Sequence, residues 1–253
     1  MSPSTETPTE DLEVAPRSRF SMDSWPASSL SFALFVLSWL LVQHNGLLSA
    51  VEFAAIFGFH ELGHWSAARA LHVDVHRPLF LPFLGGFVIL RDEHLSENAK
   101  LLIVLSGPLA GFAAADILFC VGNIYYDTAA LAAGTIGIAV HLLNLLPLPG
   151  LDGGHLIRGF APWSYVVGIG LTAVWVFFHL SNSGVWVTVA FLGVLVGLQT
   201  WAAGKNVWRD PGRRPQARDV ISTLVVVTLW CFHALLLLAV EPRAAHWVWT
   251  TGL

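Results

Sequence analysis

His60-Glu61-Leu62-Gly63-His64 places two imidazoles four positions apart, with a carboxylate beside the first. On a helix, positions i and i+4 share a face, so both rings can reach one divalent cation at about 2.0–2.1 Å. Glu61 then lies where it can act as general base toward water at that cation. The surrounding run is apolar, and charged side chains near the centre of a membrane helix cost about 2.5–3.5 kcal/mol each. A bound cation offsets much of that cost, which makes Zn2+ the expected cofactor. The bland alternative is a polar patch facing the interior of a helix bundle.

Catalytic zinc takes three protein ligands and keeps a fourth position open. The best candidate for the third is Asp152, in Asn144-Leu-Leu-Pro-Leu-Pro-Gly-Leu-Asp-Gly-Gly154. Pro147 and Pro149 interrupt a helix there, while Gly153 and Gly154 let the backbone approach another element closely. Taken alone, Asp152 reads as an ordinary turn aspartate.

The elements that must position these residues are set by an unusually apolar chain. Of 253 residues, 55% are hydrophobic and 12% charged, about half the charged share of a soluble domain. Lipid is therefore the expected solvent. The net charge of −4 gives no sign of nucleic-acid binding. Cys120 and Cys231 lie in separate apolar runs and form no C-x-x-C pair, so no disulfide framework is expected.

A membrane helix needs about 20 mostly apolar residues. Segments 47–71, 101–122, 128–147, 161–180, 184–203 and 220–240 meet that length, and 27–43 is a shorter charge-free run. With a cytoplasmic N-terminus, every basic residue except Arg243 falls on the inside, as the positive-inside rule requires. His64 and Asp152 then both lie toward the cytoplasmic leaflet. The expected fold is an all-α polytopic membrane protein of about six to seven transmembrane helices. A short membrane-associated β-hairpin is expected after the H-E-x-x-H helix, because the apolar stretch 78–90 carries Gly85-Gly86 as a turn signal. At membrane depth such backbone must face protein or a water-filled cavity.

Three regions follow. Residues 1–24, rich in Ser, Thr, Pro and acids with no signal-peptide pattern, are expected as a disordered tail. Residues 25–160 form the catalytic membrane core. Residues 161–253 add C-terminal transmembrane helices, with a basic cytoplasmic loop at 204–219 suited to anionic headgroups.

His60-Glu-Leu-Gly-His64 followed by Asn144-x-x-Pro-x-Pro-x-Leu-Asp-Gly-Gly154, with Ser106-Gly-Pro-Leu-Ala-Gly111 between them, resembles the site-2 protease family of intramembrane zinc metalloproteases. The resemblance covers about residues 47–160. It implies zinc ligands His60, His64 and Asp152, Glu61 as catalytic base, and Asn144 positioning the scissile peptide or its oxyanion. The hairpin at Gly85 and Gly86 would border the substrate path and pair with an unwound substrate by strand addition. Gly111 departs from the family pattern, in which Asn often ends the small-residue segment.

The implied function is hydrolysis of a peptide bond in or near the transmembrane segment of a membrane-protein substrate, in regulated intramembrane proteolysis. The expected setting is a prokaryotic plasma (inner) membrane with the active site toward the cytoplasm. Expected partners are that substrate and the lipid bilayer, with accessory membrane subunits left open and no nucleic acid. The alternative is a non-proteolytic metal-binding membrane scaffold or transporter, although the polar and broken elements before residue 160 have no counterpart after it.

His141, three residues before Asn144, shares its helix face and could support the metal or border the substrate path. Asp116 could be a relay or an interhelical partner, and His155 a loop residue near Asp152. His72 and His76 are four apart, but Val73 and Val75 between them suggest extended chain rather than a second metal site.

Overall fold

A computed structural model describes residues 23–43, 46–91, 95–148, 151–157 and 216–250. The expected spans 161–180 and 184–203, the tail 1–22 and most of the basic segment 204–219 lie outside the described residues. The described elements, in chain order, are α1 (Trp25–Gln43), α2 (Leu47–Ala70), β1 (Leu79–Leu81), β2 (Gly85–Phe87), α3 (Glu97–Tyr125), α4 (Thr128–Asn144), α5 (Asp152–Leu156) and α6 (Ala217–Thr250). Among them α3 is the helix both long and apolar enough to cross a membrane, with a mean hydropathy of 2.0 in its best window.

Local chemistry sets the helix ends. The hydroxyl of Ser96 accepts from the Ala99 N–H at the start of α3, and the Asp127 carboxylate accepts from Ala129 and Ala130 at the start of α4. Each satisfies donors that a first helical turn leaves without partners. Tyr126, in the left-handed region at φ 56°, turns the chain between the two helices. The fourth expected span, 128–147, stops at Asn144. Pro147 cannot continue a helix, and the chain restarts five residues past it as α5.

Helices α2, α3 and α4 form the centre. Ile56, Phe112, Ala115, Phe119, Ile138, Leu142 and Leu145 make one buried cluster, which Leu156, Ile157 and Val226 extend toward α5 and α6. Close α2–α3 approach is made at Gly63, where a Cβ would strike the Ser106 carbonyl. Ser106 Oγ donates to the Gly63 carbonyl at 2.9 Å and to its own-turn Ile103 carbonyl at 2.6 Å.

Polar ties fasten α6 to this centre. Ser222 Oγ donates to the Leu156 carbonyl at 2.6 Å, and Trp230 Nε1 to the Leu142 carbonyl at 3.2 Å. Asp116 on α3 meets the His233 ring at 3.2 Å, so it is an interhelical partner.

The hairpin is present, but its turn differs from the expectation. β1 and β2 pair antiparallel with Phe80 opposite Gly86, and residues 82–84 turn the chain. Phe83 takes a left-handed φ of 65°. Gly85 and Gly86 lie in β2 instead of forming the turn. Gly86 serves close approach, because a Cβ there would collide with Glu61 and Phe80.

Helix α1 caps the outer edge of β1 with serines on one face. Ser28 Oγ donates to the Pro78 carbonyl at 2.6 Å, while Ser31 and Ser38 accept from the Phe80 and Phe83 N–H groups at 3.1 and 3.0 Å. Asp23, just before α1, clasps the hairpin base. It accepts from the Arg77 N–H at 3.0 Å, pairs with Arg91 at 2.6 Å and lies 3.5 Å from His76. The Arg77 backbone N–H, with His76 and the two guanidiniums, holds the Asp23 carboxyl below the usual carboxylate range. His76 thus belongs to an ion-pair cluster and is not half of a metal site with His72.

Candidate metal centre

His60 and His64 project from one face of α2 with ring centroids 4.8 Å apart and planes at 84°. Their Nε2 atoms are separated by 3.1 Å. Asp152 Oδ2, delivered by the first residue of α5, stands 3.1 Å from His60 Nε2 and 3.5 Å from His64 Nε2. Donors from two segments more than eighty residues apart therefore converge within 4.8 Å of one another.

The tautomers support a cation between them. His64 Nδ1 donates to the Ile103 carbonyl at 2.7 Å, which leaves its Nε2 lone pair aimed at the other two donors. Two imidazole lone pairs and a carboxylate oxygen packed this closely repel unless a proton or a cation lies among them. The set has the two nitrogens and one oxygen that suit a catalytic zinc with an open fourth position. By its chemistry, the donor set fits such a cation.

Several groups hold these ligands in place. Asn144, the last residue of α4, donates from Nδ2 to Asp152 Oδ2 at 2.7 Å and lies 3.4 Å from His60 Nε2. Its Oδ1 accepts from the Asp152 N–H at 3.5 Å. The amide thus spans the gap between α4 and α5 made by Pro147. On the α3 side, any side chain at Gly107 would overlap the His64 ring. The small-residue segment from Ser106 therefore makes room for a ligand as well as for helix packing.

Glu61 is buried at 5% exposure, with its side chain against Gly86 of β2. It lines a cavity of about 540 Å³ together with His60, His64, Gly86, Asn144 and Asp152. The same cavity is bounded by His155 and by Glu97, Lys100, Arg218 and Asp219. It therefore joins the ligand cluster to a charged rim built from α3 and α6.

The structure brings His60, Glu61, His64, Asn144, Asp152 and Gly86 to one place. Gly85 and His141 do not line the cavity. A Cβ at Gly85 would meet Phe57 at 3.7 Å, and His141 lies 5.0 Å from the His60 ring between centroids. Sequence reasoning missed the Ile103 carbonyl, since any residue supplies one. It also missed Ser222 and Trp230 of α6, which fasten the segments carrying Asp152 and Asn144 and which no motif marks.

Residues 48–127 match the family model described as Peptidase family M50. The chain is similar to "Zinc metalloprotease MJ0392" of Methanocaldococcus jannaschii, 27% identical over 146 residues, covering 54% of this chain and 42% of that protein. It is also similar to "Probable zinc metalloprotease EGY2, chloroplastic" of Arabidopsis thaliana, 36% identical over 83 residues, covering 31% of this chain and 15% of that one. A third relative is "Putative zinc metalloprotease Rip2" of Mycolicibacterium smegmatis, 32% identical over 78 residues, covering 28% and 30% respectively. The matches span less than half the length of each of these relatives. With the H-E-x-x-H motif inside the matched region and a distant aspartate beside it in space, residues 48–127 are similar to peptidase family M50, the site-2 protease family.

Proposed function

We propose that this chain is an intramembrane zinc metalloprotease that hydrolyses a peptide bond in or near a transmembrane segment of a membrane-protein substrate, in regulated intramembrane proteolysis. The observation that carries the reading is the convergence of His60, His64 and Asp152 with Glu61 beside them on one cavity wall. The zinc metalloprotease names of the relatives support the choice of metal. Lipid is the proposed solvent, with the site toward the cytoplasmic leaflet of a prokaryotic plasma membrane, on the strength of the basic-residue distribution.

The chain's own residues divide the work. His60, His64 and Asp152 would hold the zinc, and Asn144 orients the aspartate. Zinc, when bound, supplies Lewis acidity toward a peptide carbonyl and toward water. Glu61 takes a proton from the attacking water as the C–O bond forms, and returns it to the amide nitrogen as the C–N bond breaks. Asn144 Nδ2 stands close enough to the ligands to orient a substrate carbonyl. The β1 edge is taken up by α1, so an unwound substrate strand would pair along β2, whose Gly86 sits against Glu61.

The test is Glu61→Gln in the full chain reconstituted into liposomes with a synthetic transmembrane peptide, with zinc content measured alongside. Zinc should stay near wild type while cleavage falls by about 10²–10⁴-fold. Retained cleavage would remove Glu61 from its role. Zinc binding without cleavage by wild type, across a range of transmembrane peptides, would favour a scaffold.

A further inference from the structure

His60 is held on one side only. Its Nε2 faces Asp152 and His64, while its Nδ1 is buried and finds no hydrogen-bond partner among the described residues. A ligand imidazole almost always gives that second N–H to an acceptor, which fixes the tautomer and the ring plane. His64 has such an acceptor in the Ile103 carbonyl. His60 has none, and a bare buried N–H is costly.

A group able to serve is His141 of α4. Its ring lies 5.0 Å from the His60 ring between centroids, at 59°, and is 2% exposed. Its Nδ1 donates to the Gly137 carbonyl at 2.7 Å, so Nε2 is left as a bare acceptor. The ring occupies space that α3 vacates. A Cβ at Gly111 would overlap His141, with Nε2 as the nearest atom. Phe57 and Phe112 flank it, with centroids at 6.2 and 5.4 Å.

We propose that His141 is a positioning residue for the metal centre, accepting the Nδ1 proton of His60 at its own Nε2 and thereby fixing that ligand. Each tautomer then agrees with the next: Gly137 carbonyl, His141 Nδ1–H, His141 Nε2, His60 Nδ1–H, with His60 Nε2 free to bind. A centroid spacing of 5.0 Å is compatible with an N–H···N hydrogen bond between two imidazoles whose nitrogens face each other. Gly111 belongs to the same device, because any larger residue would displace the acceptor. The inference rests on the proposed metal site.

The experiment compares zinc affinity, by chelator competition, and the visible spectrum of the cobalt-substituted protein for wild type, His141→Phe and His141→Gln in detergent. Phe keeps an aromatic ring and removes the acceptor; Gln restores an acceptor of similar reach. His141→Phe should weaken zinc binding by about 10–100-fold and alter the cobalt bands, while His141→Gln should recover most of the affinity. Equal affinity in wild type and His141→Phe would overturn the inference alone, as would equal loss in both variants. Wild type that binds no zinc would sink the proposed function and the inference together. If His141→Phe does not fold, ¹⁵N-histidine-labelled, zinc-loaded wild type decides. An N–N coupling across the hydrogen bond between His60 and His141 is expected, and its absence would overturn the assignment.

Discussion

Two of the proposed ligands, His64 and Asp152, are held by a group from a different element, and His64 also depends on space left by a residue with no side chain. His64 illustrates both points. The Ile103 carbonyl fixes its tautomer, and Gly107 leaves the volume its ring fills. Gly107→Ala should therefore push the ring off its position while leaving every ligand in the chain. The expected result is zinc affinity at least ~10-fold weaker, with helicity by circular dichroism unchanged. Wild-type affinity in that variant would show that the ring tolerates the shift. At this scale the sequence was informative wherever chemistry is local: His60, Glu61 and His64 are legible because helical periodicity alone puts them together. Asp152 was legible only as the best of several acids, because its approach depends on how Pro147 breaks α4. His141 was placed correctly on the Asn144 face, but its position beside the His60 ring depends on the absent side chain at Gly111.

At the scale of elements, hydrogen bonds and ion pairs tie the hairpin to α1. Serines on one α1 face satisfy the outer edge of β1, and Asp23 ties the preceding turn to Arg77 and Arg91. This leaves the cavity side of β2 as the edge a substrate would meet. Because the folded Asp23 carboxyl titrates below its ordinary value, its contribution is fully present above the unfolded carboxylate value near 4. It is lost as pH falls through the lower folded value. Hydrogen exchange at the hairpin amides should accelerate as pH drops below about 4, after correction for intrinsic rates. Asp23→Asn should show exchange about 5-fold faster at neutral pH, equivalent to about 1 kcal/mol, without that pH dependence. Identical profiles would mean that the serines alone hold the hairpin. The sequence predicted the hairpin but misplaced its turn, because Gly-Gly signals close approach as readily as it signals a turn. In this chain the close partner is Glu61, some twenty-five positions before Gly86 and invisible to local pattern.

At the scale of the whole molecule, the site is a composite of α2, α4 and α5, with α3 and α6 packed around it. No single element suffices, since α2 brings both imidazoles and only α5 brings the carboxylate. Helix α6 supplies no ligand, yet Ser222 and Trp230 secure the carbonyls of Leu156 and Leu142 on either side of the Asn144–Asp152 segment. That dependence was beyond reach from sequence, where α6 reads only as an apolar run. Hydropathy marked the segments where α1, α2, α3, α4 and α6 lie but not the short α5, and among the described helices α3 meets the length and composition of a span.

X-ray absorption at the zinc edge, on the purified full chain and on Asp152→Ala, measures the centre itself. The expected spectrum shows one zinc per chain, two imidazoles and light-atom ligands at about 2.0–2.1 Å, with zinc affinity and occupancy sharply reduced in Asp152→Ala. A zinc shell without imidazole scattering, or an Asp152→Ala protein that holds zinc as tightly as wild type, would contradict the assignment of His60, His64 and Asp152 to a single cation.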